Sequence, residues 1–160
     1  MTDAAELVAA LREKGWTLGI AESLTGGAVA AEVVSVPGAS DVLLGAVVAY
    51  VTGVKRSLLG VDAALLDAHG PVHPDVALQM ADGVRRAVAV DERSADVGIS
   101  TTGIAGPDSP DGQPVGTVHI GVVAPTGRFH RSHRFAGSRD EVRSQARDAA
   151  IAAALDVVRE

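Results

Sequence analysis

The 160-residue chain has no cysteine, and so neither disulfides nor thiolate metal sites. That absence is compatible with a reducing compartment. Aromatic residues make up only 2% of it, with one Trp and one Tyr, although 47% of the residues are apolar. The core must therefore be built from Ala, Val, Leu and Ile, a composition that suits Ala-rich helices over a sheet. No apolar run reaches the roughly 18 residues of a membrane span. The first residues, MTDAAELVAALREKG, are acidic and amphipathic and lack the basic start of a secretory signal. No membrane partner and a cytoplasmic location are the expectation. A net charge of −6 argues against a direct nucleic-acid partner, since phosphate backbones demand a basic surface. Six of the fourteen basic residues do fall between Arg128 and Arg147, which leaves room for a local anion site. Lysine is the scarcest charge, with two lysines against twelve arginines.

That scarcity directs attention to Lys55, five residues after the single tyrosine, Tyr50. A guanidinium stays protonated in a protein, whereas a desolvated amine can lose its proton and act as a base. Upstream, AESLTGG (21–27) puts Ser23 and Thr25 at a strand-to-helix junction followed by Gly26 and Gly27. N–H groups at such a helix start can cradle a phosphate or hold an oxyanion. A serine nucleophile with a lysine base is the chemistry these two segments imply together. Taken singly, each has a plainer reading: Ser23 as a helix cap and Lys55 as a solvated surface charge.

Length predicts one domain with a full core. Ala4, Leu7, Val8 and Leu11 predict a first helix stopped by Gly15, followed by a short buried strand over 16–21. Helical spacing runs from Ser23 to Val36. The almost continuous apolar run 43–51 predicts a strand buried on both faces. Thr52 and Asp62 are the expected caps of two short helices, ending near Leu59 and Ala68. Pro74 is expected in the first turn of a longer one. A strand over 96–102 leads into the Gly/Pro/Asp-rich loop 103–114. Strands over 115–124 and 128–135 flank Pro125-Thr126-Gly127, read as a three-residue hairpin loop. A final helix buries Val142, Ala146, Ala149, Ala150, Ala153 and Val157. The order implies an α/β fold, a sandwich with a mixed sheet.

Other motifs are ruled out or uninformative. No Gly-Lys-Ser/Thr follows a glycine loop, and Gly19 is four residues before Ser23, so neither a Walker loop nor a nucleophile elbow is present. His130 and His133, an odd number of residues apart on a strand, face opposite sides and make a poor metal pair; both are expected to be exposed. His69 and His73 bracket a Gly-Pro turn.

AESLTGG, Ala49-Tyr50 with Lys55, His69-Gly70, TGIAGPD, PVGTV and FAGSRDEVRSQA occur in order and together closely resemble the CinA C-terminal domain family, over about residues 3–158. Characterised members of that family are nicotinamide-nucleotide amidohydrolases. The resemblance implies a three-layer α/β/α sandwich, a metal-independent reaction without a cofactor, and nicotinamide mononucleotide as the small-molecule substrate. It also implies a homo-oligomer. By position, Ser23 matches the family nucleophile and Lys55 its base, with Tyr50 beside them. Thr25, Gly26, Gly27 and the segment with Thr102, Gly103, Ala105 and Gly106 match substrate-pocket motifs, and Arg139 and Arg143 match a basic motif. Some relatives carry an additional N-terminal domain; the expectation from 160 residues is the C-terminal domain by itself. Four positions depart from the pattern: Leu24 for a frequent Cys, Tyr50-Val51-Thr52 for Tyr-Ser-Asn, Gly70-Pro71-Val72-His73 for Gly-Ala-Val-Ser, and Asp108-Ser109-Pro110 for glycines. A non-catalytic nucleotide-binding module and an interaction protein tied to DNA uptake remain alternative readings. Ammonia release from the mononucleotide separates them from the enzyme.

Overall fold

A computed structural model describes residues 1–110 and 112–160; Asp111, within the 103–114 loop, lies outside the described residues. Helix α1 (Asp3–Lys14) begins where the Thr2 hydroxyl accepts from the Ala5 N–H and ends at Gly15, which at a φ of 68° donates its N–H back to the Arg12 and Leu11 carbonyls. Strand β1 (Leu18–Glu22) follows, then α2 (Ala28–Val34) and a short 3₁₀ turn (Ala39–Asp41). Next come β2 (Leu43–Val48), α3 (Thr52–Leu59), α4 (Ala63–His69) and α5 (Pro74–Ala87). The chain closes with β3 (Val97–Gly103), β4 (Thr117–Ala124), β5 (Gly127–Arg134) and α6 (Arg139–Arg159).

The five strands form one mixed sheet in the order β2-β1-β3-β4-β5. The first three are parallel, and β4 and β5 run antiparallel. Helices α1, α2 and α6 cover one face and α3, α4 and α5 the other, giving the three-layer α/β/α sandwich. The larger core lies under α1 and α6, where Leu7, Leu11, Leu18, Ile20, Ile99 and Ile120 are fully buried. Each such side chain contributes roughly 1.5–3 kcal/mol on removal from water. On the opposite face α5 comes close enough that a Cβ at Gly98 or Gly121 would collide with the carbonyls of Ala81 and Ala77.

Four local expectations are corrected. β2 is an edge strand, not a fully buried one, and Leu44, Ala46 and Val48 are exposed on one of its faces. Val51, not Thr52, occupies the cap of α3, with Thr52 as its first residue and no side-chain cap bond. The β4–β5 turn has two residues, Pro125 and Thr126, because Gly127 (φ 146°) already pairs with Ala124. Most consequentially, α2 starts at Ala28 rather than at Ser23: Gly26 and Gly27 take φ values of 61° and 107°, which no helix accommodates.

The chain leaves β1 for β2 on one side of it and returns to β3 on the other. A crevice opens at this switch, beyond the carboxyl ends of the parallel strands.

Candidate active site

Ser23 is the first residue past β1, on the Ser23–Gly27 turn. Several tethers fix that turn. The Ser23 N–H donates to Thr101 Oγ1 at 3.2 Å, and Thr101 Oγ1 shares a hydrogen bond of 2.9 Å with Thr25 Oγ1. Arg143, from α6, donates to the carbonyls of Leu24 (2.8 Å) and Thr25 (3.2 Å). Glu22 is fully buried, and its two carboxylate oxygens accept from the N–H groups of Val29 (2.9 Å) and Ala30 (3.0 Å). The start of α2 is thus filled by a carboxylate from the protein itself. This corrects the expectation that those N–H groups hold an oxyanion or phosphate.

Lys55 comes from the fourth residue of α3 and is only 1% exposed, the largest fully buried side chain. Its Nζ lies 2.9 Å from Ser23 Oγ, 2.7 Å from the Ala49 carbonyl and 3.2 Å from the Tyr50 carbonyl. These carbonyls face the amine because β2 ends at Val48 and the backbone turns toward α3. Burial pulls the Lys55 pKa down from 10.5 to about 8. The proton inventory then follows from the partners. An ammonium donates to all three acceptors. A neutral amine has two N–H donors and one lone pair, and the two carbonyls can only accept. Its lone pair is therefore left to the Ser23 hydroxyl, which becomes the donor. In its neutral form Lys55 is aimed at the Ser23 proton.

Both groups open into a cavity of about 370 Å³. Thr102, Gly103, Ala105 and Gly106 line it along the end of β3, and Pro71 and Val72 form another wall, held by Thr102 Oγ1 (2.6 Å to Pro71 O) and Gln113 Nε2 (3.0 Å to Val72 O). The Ile104 N–H is used by the Thr117 carbonyl at 2.9 Å, whereas the N–H groups of Ala105 and Gly106 have no acceptor among the described residues. At the rim, Arg139 donates to the Gly106 carbonyl (2.6 Å) and to the Tyr50 hydroxyl (3.1 Å). Asp108 also lines the cavity.

Of the residues singled out in the sequence, Ser23, Lys55, Tyr50, Thr102, Gly103, Ala105, Gly106 and Arg139 converge on this cavity. Thr25, Gly26, Gly27 and Arg143 are not among its lining residues; they shape and fasten the turn that carries Ser23. Glu22 and Thr101 escaped sequence reasoning. Glu22 did leave a signal, as the lone charged residue between Lys14 and Glu32. His130 is exposed and His133 faces the other side of β5, as expected. His133 is not freely exposed, however: it stacks on Phe135 at 4.9 Å, with a buried, unpartnered Nε2. Among the described residues no group of three or more His, Asp or Glu side chains is placed to hold a metal ion.

The sequence profile of the CinA C-terminal domain matches residues 2–158. The chain belongs to the CinA C-terminal domain family. Its relatives include the CinA-like protein of Frankia casuarinae, 44% identical over 93% of this chain and 32% of that protein. The CinA-like protein of Salinibacter ruber is 46% identical over 81% of this chain and 31% of its own length. The chain thus spans about a third of these curated relatives. Among solved structures, a CinA superfamily protein from Klebsiella pneumoniae 700603 superposes with a TM-score of 0.91 at 30% identity, covering 98% of this chain and 96% of the other. The competence/damage inducible protein of Agrobacterium tumefaciens gives 0.87 at 30% identity, over 100% and 98%. These two solved structures share the fold described above. Among the described residues no helix is long and apolar enough to cross a membrane.

Proposed function

We propose that the protein is an amidohydrolase that converts nicotinamide mononucleotide to nicotinate mononucleotide and ammonia through a Ser23–Lys55 pair. The observation that carries this reading is the buried Lys55 amine, 2.9 Å from Ser23 Oγ and otherwise bonded only to carbonyls. The substrate class comes from the family resemblance. A cavity of about 370 Å³ and an arginine at its rim are compatible with a mononucleotide.

In the first step Ser23 Oγ attacks the carboxamide carbon while neutral Lys55 takes the hydroxyl proton. The carbonyl π electrons move to oxygen, and the N–H groups of Ala105 and Gly106, without an acceptor among the described residues, are the donors we assign to that oxyanion, since the α2 terminus is occupied by Glu22. Collapse of the intermediate breaks the C–N bond, and the Lys55 ammonium returns the proton to the departing nitrogen, releasing ammonia. Water then adds to the acyl-enzyme with Lys55 again taking a proton, and Ser23 is regenerated with the carboxylate product. Arg139, the cation at the cavity rim, is assigned to the substrate phosphate, and Tyr50 to holding Arg139. No step assigned to these residues uses a metal or a cofactor.

The reading is completed by a cytoplasmic location and a homo-oligomer. The uncharged edge strand β2, with Leu44 and Val48 exposed, supports self-association; light scattering on the purified protein tests it. Ammonia release, measured with purified protein and nicotinamide mononucleotide, tests the activity. Turnover that is lost in Ser23→Ala supports the assignment. Binding of the nucleotide with no ammonia released overturns it in favour of a binding module.

A further inference from the structure

We infer that Glu22 is the positioning residue of the nucleophile, setting the Ser23 hydroxyl against Lys55 by clamping both ends of the turn between β1 and α2. The inference rests on the Ser23–Lys55 reading, to which it adds a residue that never touches substrate. Glu22 is fully buried and is neither a cavity-lining residue nor a partner of any cation among the described residues. Its bonds instead reach seven and eight residues ahead, to the N–H groups of Val29 and Ala30. Between those anchor points lie Ser23 and the two left-handed glycines, Gly26 and Gly27.

Two adjacent glycines give a turn little conformational preference of its own, so its shape is set by its tethers. Thr101 and Arg143 hold Ser23, Leu24 and Thr25 from outside. Among the described residues Glu22 alone joins the strand end to the helix start by side-chain hydrogen bonds, and it does so with both oxygens. A carboxylate bonded at both oxygens cannot rotate about its terminal torsion. The residue next to it, Ser23, inherits that fixed orientation. The same bonds close the helix terminus to competing anions and leave the reacting oxygen to the loop after β3.

Two variants test this. Glu22→Gln keeps size but replaces one acceptor oxygen by an NH₂ group that opposes a backbone N–H. Ala30→Pro deletes the donor to Glu22 Oε2 while leaving Glu22 untouched, at a first-turn helix position where proline is tolerated. Three quantities are read on folded protein: the rate of Ser23 labelling by a fluorophosphonate, followed by intact mass; kcat and KM for nicotinamide mononucleotide; and Tm. The expected result is a drop of about tenfold or more in both labelling rate and kcat in each variant, with KM within about twofold. Lowered Tm with labelling and kcat within twofold of wild type in both variants overturns the inference, because Glu22 is then only a structural clamp. If Glu22→Gln does not fold, Ala30→Pro decides alone on the same criteria. Wild-type protein that labels at Ser23 but releases no ammonia overturns the substrate reading and leaves this test standing.

Discussion

The two lysines of the chain sit in opposite surroundings. Lys14 closes the last turn of α1, exposed, where a cation complements the helix dipole, and its Nζ lies 4.8 Å above the ring of Trp16. Lys55 is near the start of α3, where the dipole opposes it, and is packed out of water against two carbonyls and a serine hydroxyl. Arginine could do what Lys14 does. It could not do what we propose for Lys55, because a guanidinium does not surrender a proton. In a chain with twelve arginines, the difference fits the proposed role of Lys55: burial is what would let an amine, unlike a guanidinium, act as a base.

The comparison is sharpest where the reaction depends on it. Ser23→Ala should remove deamidation almost entirely, by about 10⁴ or more in kcat, with the fold kept, because it deletes the attacking oxygen and little volume. Circular dichroism and an ammonia assay check both halves. Lys55→Arg should cost about 10² or more. An active Lys55→Arg enzyme would erase the distinction between the two lysines. Arg143→Ala, which frees the Leu24 and Thr25 carbonyls, should lower kcat by about tenfold through a loosened Ser23 turn.

Stability should also separate Lys55 from a residue that does not titrate. Its folded pKa is about 8 against 10.5 unfolded, so between those values the unfolded chain binds more protons and stability rises with pH. The Tm of wild type relative to Lys55→Met should be flat below pH 8. Above it, wild type should gain on the order of 5 °C by pH 10.5. A difference that stays constant across that window would mean that burial does not shift the amine. The smallest effect belongs to Lys14→Arg, which should leave kcat/KM within about twofold.

Much of this was legible before any coordinates. The helical periodicity of α1, α5 and α6 and the first-turn Pro74 are local signals, and they fixed the layers. The pairing of Ser23 with Lys55 followed from residue type and from the ordered motifs that resemble one family. What was not legible depends on contacts distant in sequence. The apolar run 43–51 reads as a strand buried on both faces, yet β2 stands at the sheet edge, a place decided by strand order. Helical spacing through Ser23–Val36 concealed the turn, because Leu24 is buried without belonging to a helix. The start of α2 reads from the sequence as an open anion site, yet the Glu22 carboxylate fills it.

The claim beneath all of these is that burial lowers the Lys55 pKa far enough for its neutral form to serve as a base, and the scarcity of lysine makes it directly measurable. Protein labelled with ¹³Cε-lysine in the Lys14→Arg background carries a single lysine, Lys55, and its resonance can be followed from pH 6 to 11. A midpoint near 8, moving together with the acidic limb of kcat/KM, is the result this account requires. A midpoint in the ordinary lysine range, around 10.4, would contradict it.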